Sequence, residues 1–339
     1  MRATITRCNL SRNPSRFYRG ALQFGSPDFA TALMPSLNAA GVTTLIYRPE
    51  RTRFSFRRHR LRRLHRKLAL IDERIAFVGG INIVDDHDEG RLRSPRFDFA
   101  VRIQGPTLTS IHHAMHRLWE ITAWVSLRRR LRSQMDCLPP QSVVNGTQQA
   151  IFLIRDNFRH RRTIERAYLS AILTAREQIF IANAYFLPGR RFRQALIRAA
   201  RRGVRITLLL QGRIEYRLQH YATQALYSTL LNAGIKIFEY RNSFLHAKVA
   251  VVDGQWATVG SSNIDPFSLL LAKEANLVVV DQSFAAELQH HLDAALLSGA
   301  TELATEQWNC LPLLSRALRW ACLSFVRLLV GISGYGRQH

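Results

Sequence analysis

The chain has 339 residues, 47% of them apolar, enough for two domains or one large duplicated unit with a sizeable core. No run reaches the ~18–20 apolar residues of a membrane-spanning helix, MRATITRCNLSRNPSRF has no apolar signal core, and four scattered cysteines (Cys8, Cys137, Cys310, Cys322) without C-x-x-C spacing argue against a zinc or disulfide framework and suit a reducing cytosol. The formal charge of +24 calls for an anionic counterpart: nucleic acid, a membrane surface or an acidic substrate.

The first 21 residues are Arg- and Ser-rich with no clear period. FATALMPSLNAAGVTTLIYRPE then reads as an amphipathic helix closed near Gly41 and followed by a strand. An insertion comes next: His65 lies 24 positions after Gly41, and RTRFSFRRHRLRR sets seven arginines around Phe54 and Phe56. This stretch is either a solvated basic loop or a patch for an anionic membrane surface. HRKLALIDERIAFVGGIN and FDFAVRIQG read as strands, and TLTSIHHAMHRLWEITAWVSL as a helix. SQMDCLPPQSVVNGTQQ, with its proline pair, reads as a linker.

The same order then recurs. TIERAYLSAILTAREQIFIANAYFLPGRRFRQALIRAARRGVRITLLLQG predicts helix, strand, helix, strand. YATQALYSTLLNAGIKIFEYRN repeats the helix, glycine (Gly234) and strand of residues 29–50. HAKVAVVDGQWATVGSSN and KEANLVVVD give strands, and SFAAELQHHLDAALL a helix. Alternating strands and helices predict an α/β fold built as two related α/β/α halves with mixed sheets. The expected organisation is an N-terminal segment 1–21, a first half 22–132, a linker 133–150, a second half 151–298 and a C-terminal tail 299–339. The first half shows no strand–helix–strand lead-in like that of the second, so it is expected to be incomplete.

The two copies share a polar set while their apolar filler differs. His65, Lys67, Asp72 and Asn82 match His246, Lys248, Asp253 and Asn263, with 17 residues from each histidine to its asparagine. Only four of 48 basic residues are lysines, yet two of them fall in these triplets. On a strand, His65 and Lys67 face one side, as do His246 and Lys248. Gly79-Gly80 and Gly260-Ser261-Ser262 precede the asparagines and are expected to let backbone N–H groups approach a ligand. Imidazoles, ammoniums and amides converging on one spot suit a tetrahedral anion such as phosphate.

The chemistry this set predicts is displacement at phosphorus. A neutral histidine attacks and forms a phosphohistidine; the other, protonated, serves the leaving alcohol and then the incoming one. Lys67, Lys248, Asn82 and Asn263 stabilise the non-bridging oxygens, and the built-in cations make a metal unnecessary. Each ring needs an acceptor for its second nitrogen. The candidates are Asp98, 33 residues after His65, and Glu274, 28 after His246. Asp72 and Asp253 sit where their strands turn, which favours a turn or ion-pair role for them. Ser261 is read equally as a ligand contact or a turn residue.

The paired H-x-K-x4-D segments with their trailing Gly-Gly-x-Asn and Gly-Ser-Ser-Asn resemble the phospholipase D superfamily. FGSPDF, AGV, HRKLALIDERIAFVGGINI, ANAYFLPG and GSSNIDPFSLLLAKEAN are similar to bacterial cardiolipin synthases of the B type, over roughly residues 22–330. The resemblance implies two halves about a pseudo-twofold axis with one shared site. It implies a phosphatidyltransferase that needs no cofactor and moves a phosphatidyl group between phospholipids, commonly from phosphatidylglycerol to phosphatidylglycerol with glycerol released. Asp72 and Asp253 then join the catalytic set, His65 is the nucleophile, His246 the acid/base, and Ser261 a substrate contact. Relatives carry an additional strand–helix–strand before the FGSPDF segment.

The tail CLPLLSRALRWACLSFVRLLVGISGYGRQH interrupts Leu, Trp, Phe and Val with Arg316, Arg319 and Arg327. It suits a helix lying in a membrane interface or one packed on the core. A peripheral enzyme at the cytoplasmic face of the bacterial inner membrane, bound to anionic phospholipid, fits both features. Two alternatives stay open: a phosphodiesterase or nuclease of the same superfamily, and an inactive paralogue that binds anionic lipid.

Overall fold

The structure is a computed structural model that describes residues 34–40, 44, 45, 47, 64–82, 95–126, 146–156, 159–270 and 272–331. The N-terminal segment 1–21, the Arg-rich insertion 51–63 and most of the linker, residues 133–145, lie outside them. So do Cys8 and Cys137, and most of the strand expected after Gly41.

Helix α1 (Met34–Ala39) precedes a hairpin of β1 (Lys67–Ile71) and β2 (Ile75–Gly79), which β3 (Ala100–Ile103) extends into an antiparallel three-stranded sheet. Helix α2 (Thr107–Val125) covers one face of this sheet. Leu68 and Leu70 of β1 and Ala76 and Val78 of β2 meet Ile111 and Met115 of α2 there. The alternate residues of β1 are only half-buried, the one-sided pattern of a strand with a single packed face.

The second sheet begins with β4 (Gln149–Arg155), a strand that straddles the expected boundary between linker and second half at residue 150. Then come α3 (Thr163–Thr174), β5 (Gln178–Asn183), α4 (Arg190–Arg201) and β6 (Arg205–Gln211), matching the predicted helix–strand–helix–strand run. The single helix expected over residues 221–233 is two, α5 (Arg217–Gln224) and α6 (Tyr227–Leu231), leading into β7 (Lys236–Tyr240). The hairpin β8 (Lys248–Val252) and β9 (Trp256–Gly260) is followed by α7 (Pro266–Leu270), β10 (Glu274–Val280) and α8 (Gln282–Gly299). Beyond residue 299 the tail first adds a strand, β11 (Ala300–Glu302), then α9 (Thr305–Asn309) and α10 (Leu313–Val330).

These strands form one eight-stranded mixed sheet in the order β11-β7-β6-β5-β8-β9-β10-β4, with β5, β6 and β7 parallel. Both its faces are covered, so its central strands read as near-continuous apolar runs. Along β8, Ala250 and Val252 face the layer containing α3, α4 and α10, while Val249 and Val251 face α8 and Phe97. The two sheets join because Ala275, Leu277 and Val279 of β10 pack into the core of the first sheet. Burying such side chains stabilises the junction by ~1.5–3 kcal/mol each for the larger ones.

Candidate active site

His65 and His246 each lie two residues ahead of a strand, β1 and β8, and each backbone is held by the opposite half. The His65 N–H donates to the Lys273 carbonyl at 2.9 Å, and the His246 N–H to the Phe97 carbonyl at 2.9 Å. Parallel bridges Leu64–Lys273 and Phe97–Leu245 flank these bonds. The residues after Lys273 and Phe97 are Glu274 and Asp98, so each exchange carries an acid to the other half's histidine.

The rings follow the backbone. His65 Nδ1 lies 3.1 Å from Glu274 Oε2 and 3.1 Å from the Ser261 carbonyl. His246 Nδ1 lies 2.5 Å from Asp98 Oδ2. These partners are acceptors, so Nδ1 carries the hydrogen in both rings and Nε2 is left for chemistry. Lys67 Nζ donates to the His65 carbonyl at 2.9 Å, and Lys248 Nζ to the His246 carbonyl, within 3.9 Å of Asp98 Oδ2.

The charges act across the halves. Burial pushes the His65 pKa down, and both Lys67 and Lys248 add to the effect against the pull of Glu274. Burial, then Lys248, takes His246 down to about 4. Burial and Lys248 lower Lys67 to about 7, and burial and Arg96 lower Lys248 to about 8. For Asp98, burial works to raise the pKa, but Lys248 and His246 outweigh it and hold the carboxylate ionised. Glu274 behaves likewise, with His65, Lys67 and the Ser261 hydroxyl outweighing burial. The site therefore holds two anions, two ammoniums of weakened basicity and two neutral rings.

The other predicted residues divide. Asn263 is buried and Asn82 half-buried at the ends of the segments after β9 and β2. The Ser261 hydroxyl donates to Glu274 Oε2 at 2.5 Å and accepts from the Ala275 N–H at 3.0 Å. Ser261 thus positions Glu274, a correction to the expected substrate contact. The glycine turns are corrected too: the Gly80 and Ser261 N–H groups bond to the Phe99 and Ala275 carbonyls at 2.9 Å, so neither is available to a ligand. What the glycines permit is the close approach of the acid-bearing segment. A Cβ on Gly80 would lie 2.3 Å from Asp98 Oδ1, and one on Gly79 2.2 Å from the Phe99 carbonyl oxygen.

Asp72 and Asp253 are not brought to the histidines. Both occupy hairpin turns with φ of 49° at the far end of their strands, and Asp72 is exposed. The Asp253 carboxylate accepts from the backbone N–H groups of Arg176, Glu177 and Gln178, each at 2.9 Å.

Sequence reasoning missed two groups. Arg66, inside the first triplet, is buried and donates to the Glu274 and Arg155 carbonyls at 3.1 Å, tying β1 to β10 and β4. Strand alternation put it on the face away from His65, which reads as core. A small, shallow cleft opens between β5, β6 and α5, lined by Tyr185, Phe186, Arg213, Glu215 and Tyr216 among others. The Tyr185 hydroxyl donates to Glu215, whose charge reaches Lys248, so the cleft adjoins the site.

Residues 168–296 match the family described as Cardiolipin synthase, PLD-like domain. Cardiolipin synthase B of Escherichia coli is 39% identical over 290 residues, an alignment covering 83% of this chain and 67% of that protein. The chain belongs to the cardiolipin synthase family, within the phospholipase D superfamily. Cardiolipin synthase A of Proteus mirabilis is 31% identical over 284 residues, covering 82% of this chain and 56% of that one. Among solved structures, phosphatidylserine synthase of Haemophilus influenzae Rd KW20 superposes with a TM-score of 0.59 at 14% identity, over 78% of this chain and 70% of that one. That likeness is one of fold: the two share a mixed α/β architecture.

Proposed function

We propose that this chain is a phosphatidyltransferase of the cardiolipin synthase type, working peripherally on anionic membrane at the cytoplasmic face. It moves a phosphatidyl group from one phospholipid, phosphatidylglycerol, to the hydroxyl of another and releases glycerol. The observation that carries this reading is the crosswise pairing of each histidine with the acid of the opposite half, beside two lysines that share its field.

In this mechanism the lone pair of neutral His65 Nε2 attacks phosphorus and the P–O bond to the headgroup glycerol breaks. His246, protonated at Nε2 in the substrate complex, gives its proton to that oxygen. The acceptor hydroxyl then returns a proton to His246 and attacks phosphorus, breaking the P–N bond and freeing His65. His65 takes the nucleophile's part because its side chain is the more accessible, 28% exposed against 14% for His246. His246 takes the acid's part because its shorter bond to ionised Asp98 favours the imidazolium once a phosphodiester anion offsets Lys248. Lys67 and Lys248, with Asn82 and Asn263, stabilise the charge that builds on the non-bridging oxygens.

The test uses phosphatidylglycerol labelled with ³²P in vesicles. The expected products are labelled cardiolipin and free glycerol in equal amounts. His65→Ala and His246→Ala each lower turnover about 10²–10⁴-fold. His246→Ala alone accumulates label on the protein as an acid-labile, base-stable phosphoramidate. Label appearing only as phosphatidic acid, or cleavage of DNA with the lipid untouched, would overturn the proposal.

A further inference from the structure

Helix α10 presents two different faces. Leu323, Val326 and Val330 are buried toward the main core, and the helix packs along α5. Arg319 locks the contact: its Nε donates to Gln224 Oε1 at 3.0 Å, and its guanidinium lies 5.8 Å from the Tyr221 ring and 5.4 Å from the Trp308 ring. On the opposite side, Leu314, Leu318, Ala321, Phe325 and Leu328 follow one another at intervals of four, three, four and three residues, which places them in one line along the helix. All are exposed, the large ones from 50% for Phe325 to 83% for Leu314. Arg316 and Arg327 flank the line, both exposed.

The line continues toward the cleft. Helix α5, to which α10 is fixed, starts beside that cleft, and the segment leading into it exposes Ile214 and Tyr216, with Leu218 just inside the helix. Tyr216 also lines the cleft. The apolar face and the cleft's rim therefore belong to one packed helix pair.

Two occupants suit such a line: a second copy of the same helix, or a bilayer. Charge decides between them. A copy would bring two molecules of formal charge +24 together with Arg316 and Arg327 beside the contact, whereas anionic lipid headgroups would meet those arginines as counterions. We infer that the outer face of α10, together with Ile214, Tyr216 and Leu218, is the surface that docks this protein on an anionic bilayer and sets the cleft against the lipid. The inference rests on the lipid reading above only for the role of the cleft.

The test compares the full chain with a Leu318→Glu, Phe325→Glu double variant, both positions being outside the catalytic machinery. Sedimentation with phosphatidylcholine vesicles, with and without phosphatidylglycerol, reads binding; transfer among short-chain phosphatidylglycerol dispersed as monomers reads chemistry. Wild type is expected to bind phosphatidylglycerol vesicles, and the double variant at least tenfold more weakly, with transfer on the dispersed lipid retained. As a check free of folding risk, wild-type tryptophan fluorescence should be quenched by brominated acyl chains, and Trp320→Phe should lose part of that quenching. Vesicle binding unchanged in the double variant would overturn the proposal. So would a wild-type dimer in solution that the same substitutions make monomeric. Wild type that binds vesicles but transfers nothing would sink the phosphatidyltransferase reading and leave the docking face standing.

Discussion

Lys248 is buried and Lys67 half-buried among groups that cannot fully compensate them, which brings their titration down to about 7 for Lys67 and about 8 for Lys248. Their role needs the ammonium form. We expect kcat/KM to fall as pH rises through about 7–8, well below an ordinary lysine, and Lys67→Arg to move that alkaline limb upward; a limb near 10 in wild type would contradict this. The histidines give a separate stability signature. His246 titrates at about 4 when folded and near its ordinary 6.5 when unfolded, so between those values the unfolded chain holds a proton that the folded one lacks. Stability therefore rises with pH across that window, and is lost as pH falls through it. The melting temperature of His246→Asn should show a shallower slope from pH 4 to 6.5 than wild type; His65, His112, His220 and His291, also shifted downward, keep the slope from vanishing. The polar set itself was legible in the sequence, since two triplets at matching offsets stand out where lysine is scarce. Which acid serves which ring was not, because pairing across 209 and 148 residues leaves no local trace.

At the scale of strands and turns, the two hairpins show what repetition does and does not preserve. The short apolar runs LALI and VAVV mark both strands, and the turns at Asp72 and Asp253 share the same positive φ. Among the described residues, Asp253 alone of the two has an anchoring role beyond the turn, gathering three backbone N–H groups from the segment that leads into β5. Charge-assisted bonds of this kind contribute roughly 1–3 kcal/mol in total after solvent competition. Asp253→Asn should therefore lower the melting temperature by a few degrees while leaving turnover per folded molecule near wild type. A large loss of kcat without a stability change would return Asp253 to the catalytic set. The sequence was least informative where long-range pairing overrides local preference. Gln149–Arg155 begins inside the expected linker, where nothing local announces a strand, yet it completes the sheet edge against β10. The split between α5 and α6 carries no glycine or proline to announce it.

For the molecule as a whole, the decisive contacts run between the halves rather than within them. The lysines act on both rings, but the acids are divided: Glu274 supports the charge of His65 and Asp98 that of His246, each from the opposite half. Histidine titrations followed by NMR should show Asp98→Asn lowering the His246 pKa and leaving His65 in place, and Glu274→Gln doing the reverse. Each substitution moving the ring of its own half would refute the exchange. The exchange also carries a consequence for how such a chain can change over generations. A gene copy that drifts in one repeat does not merely blunt that repeat; it disarms the imidazole lodged in its twin. The two repeats are thus hostages to each other, free to vary in their filler but bound to mutate their acids and rings in concert.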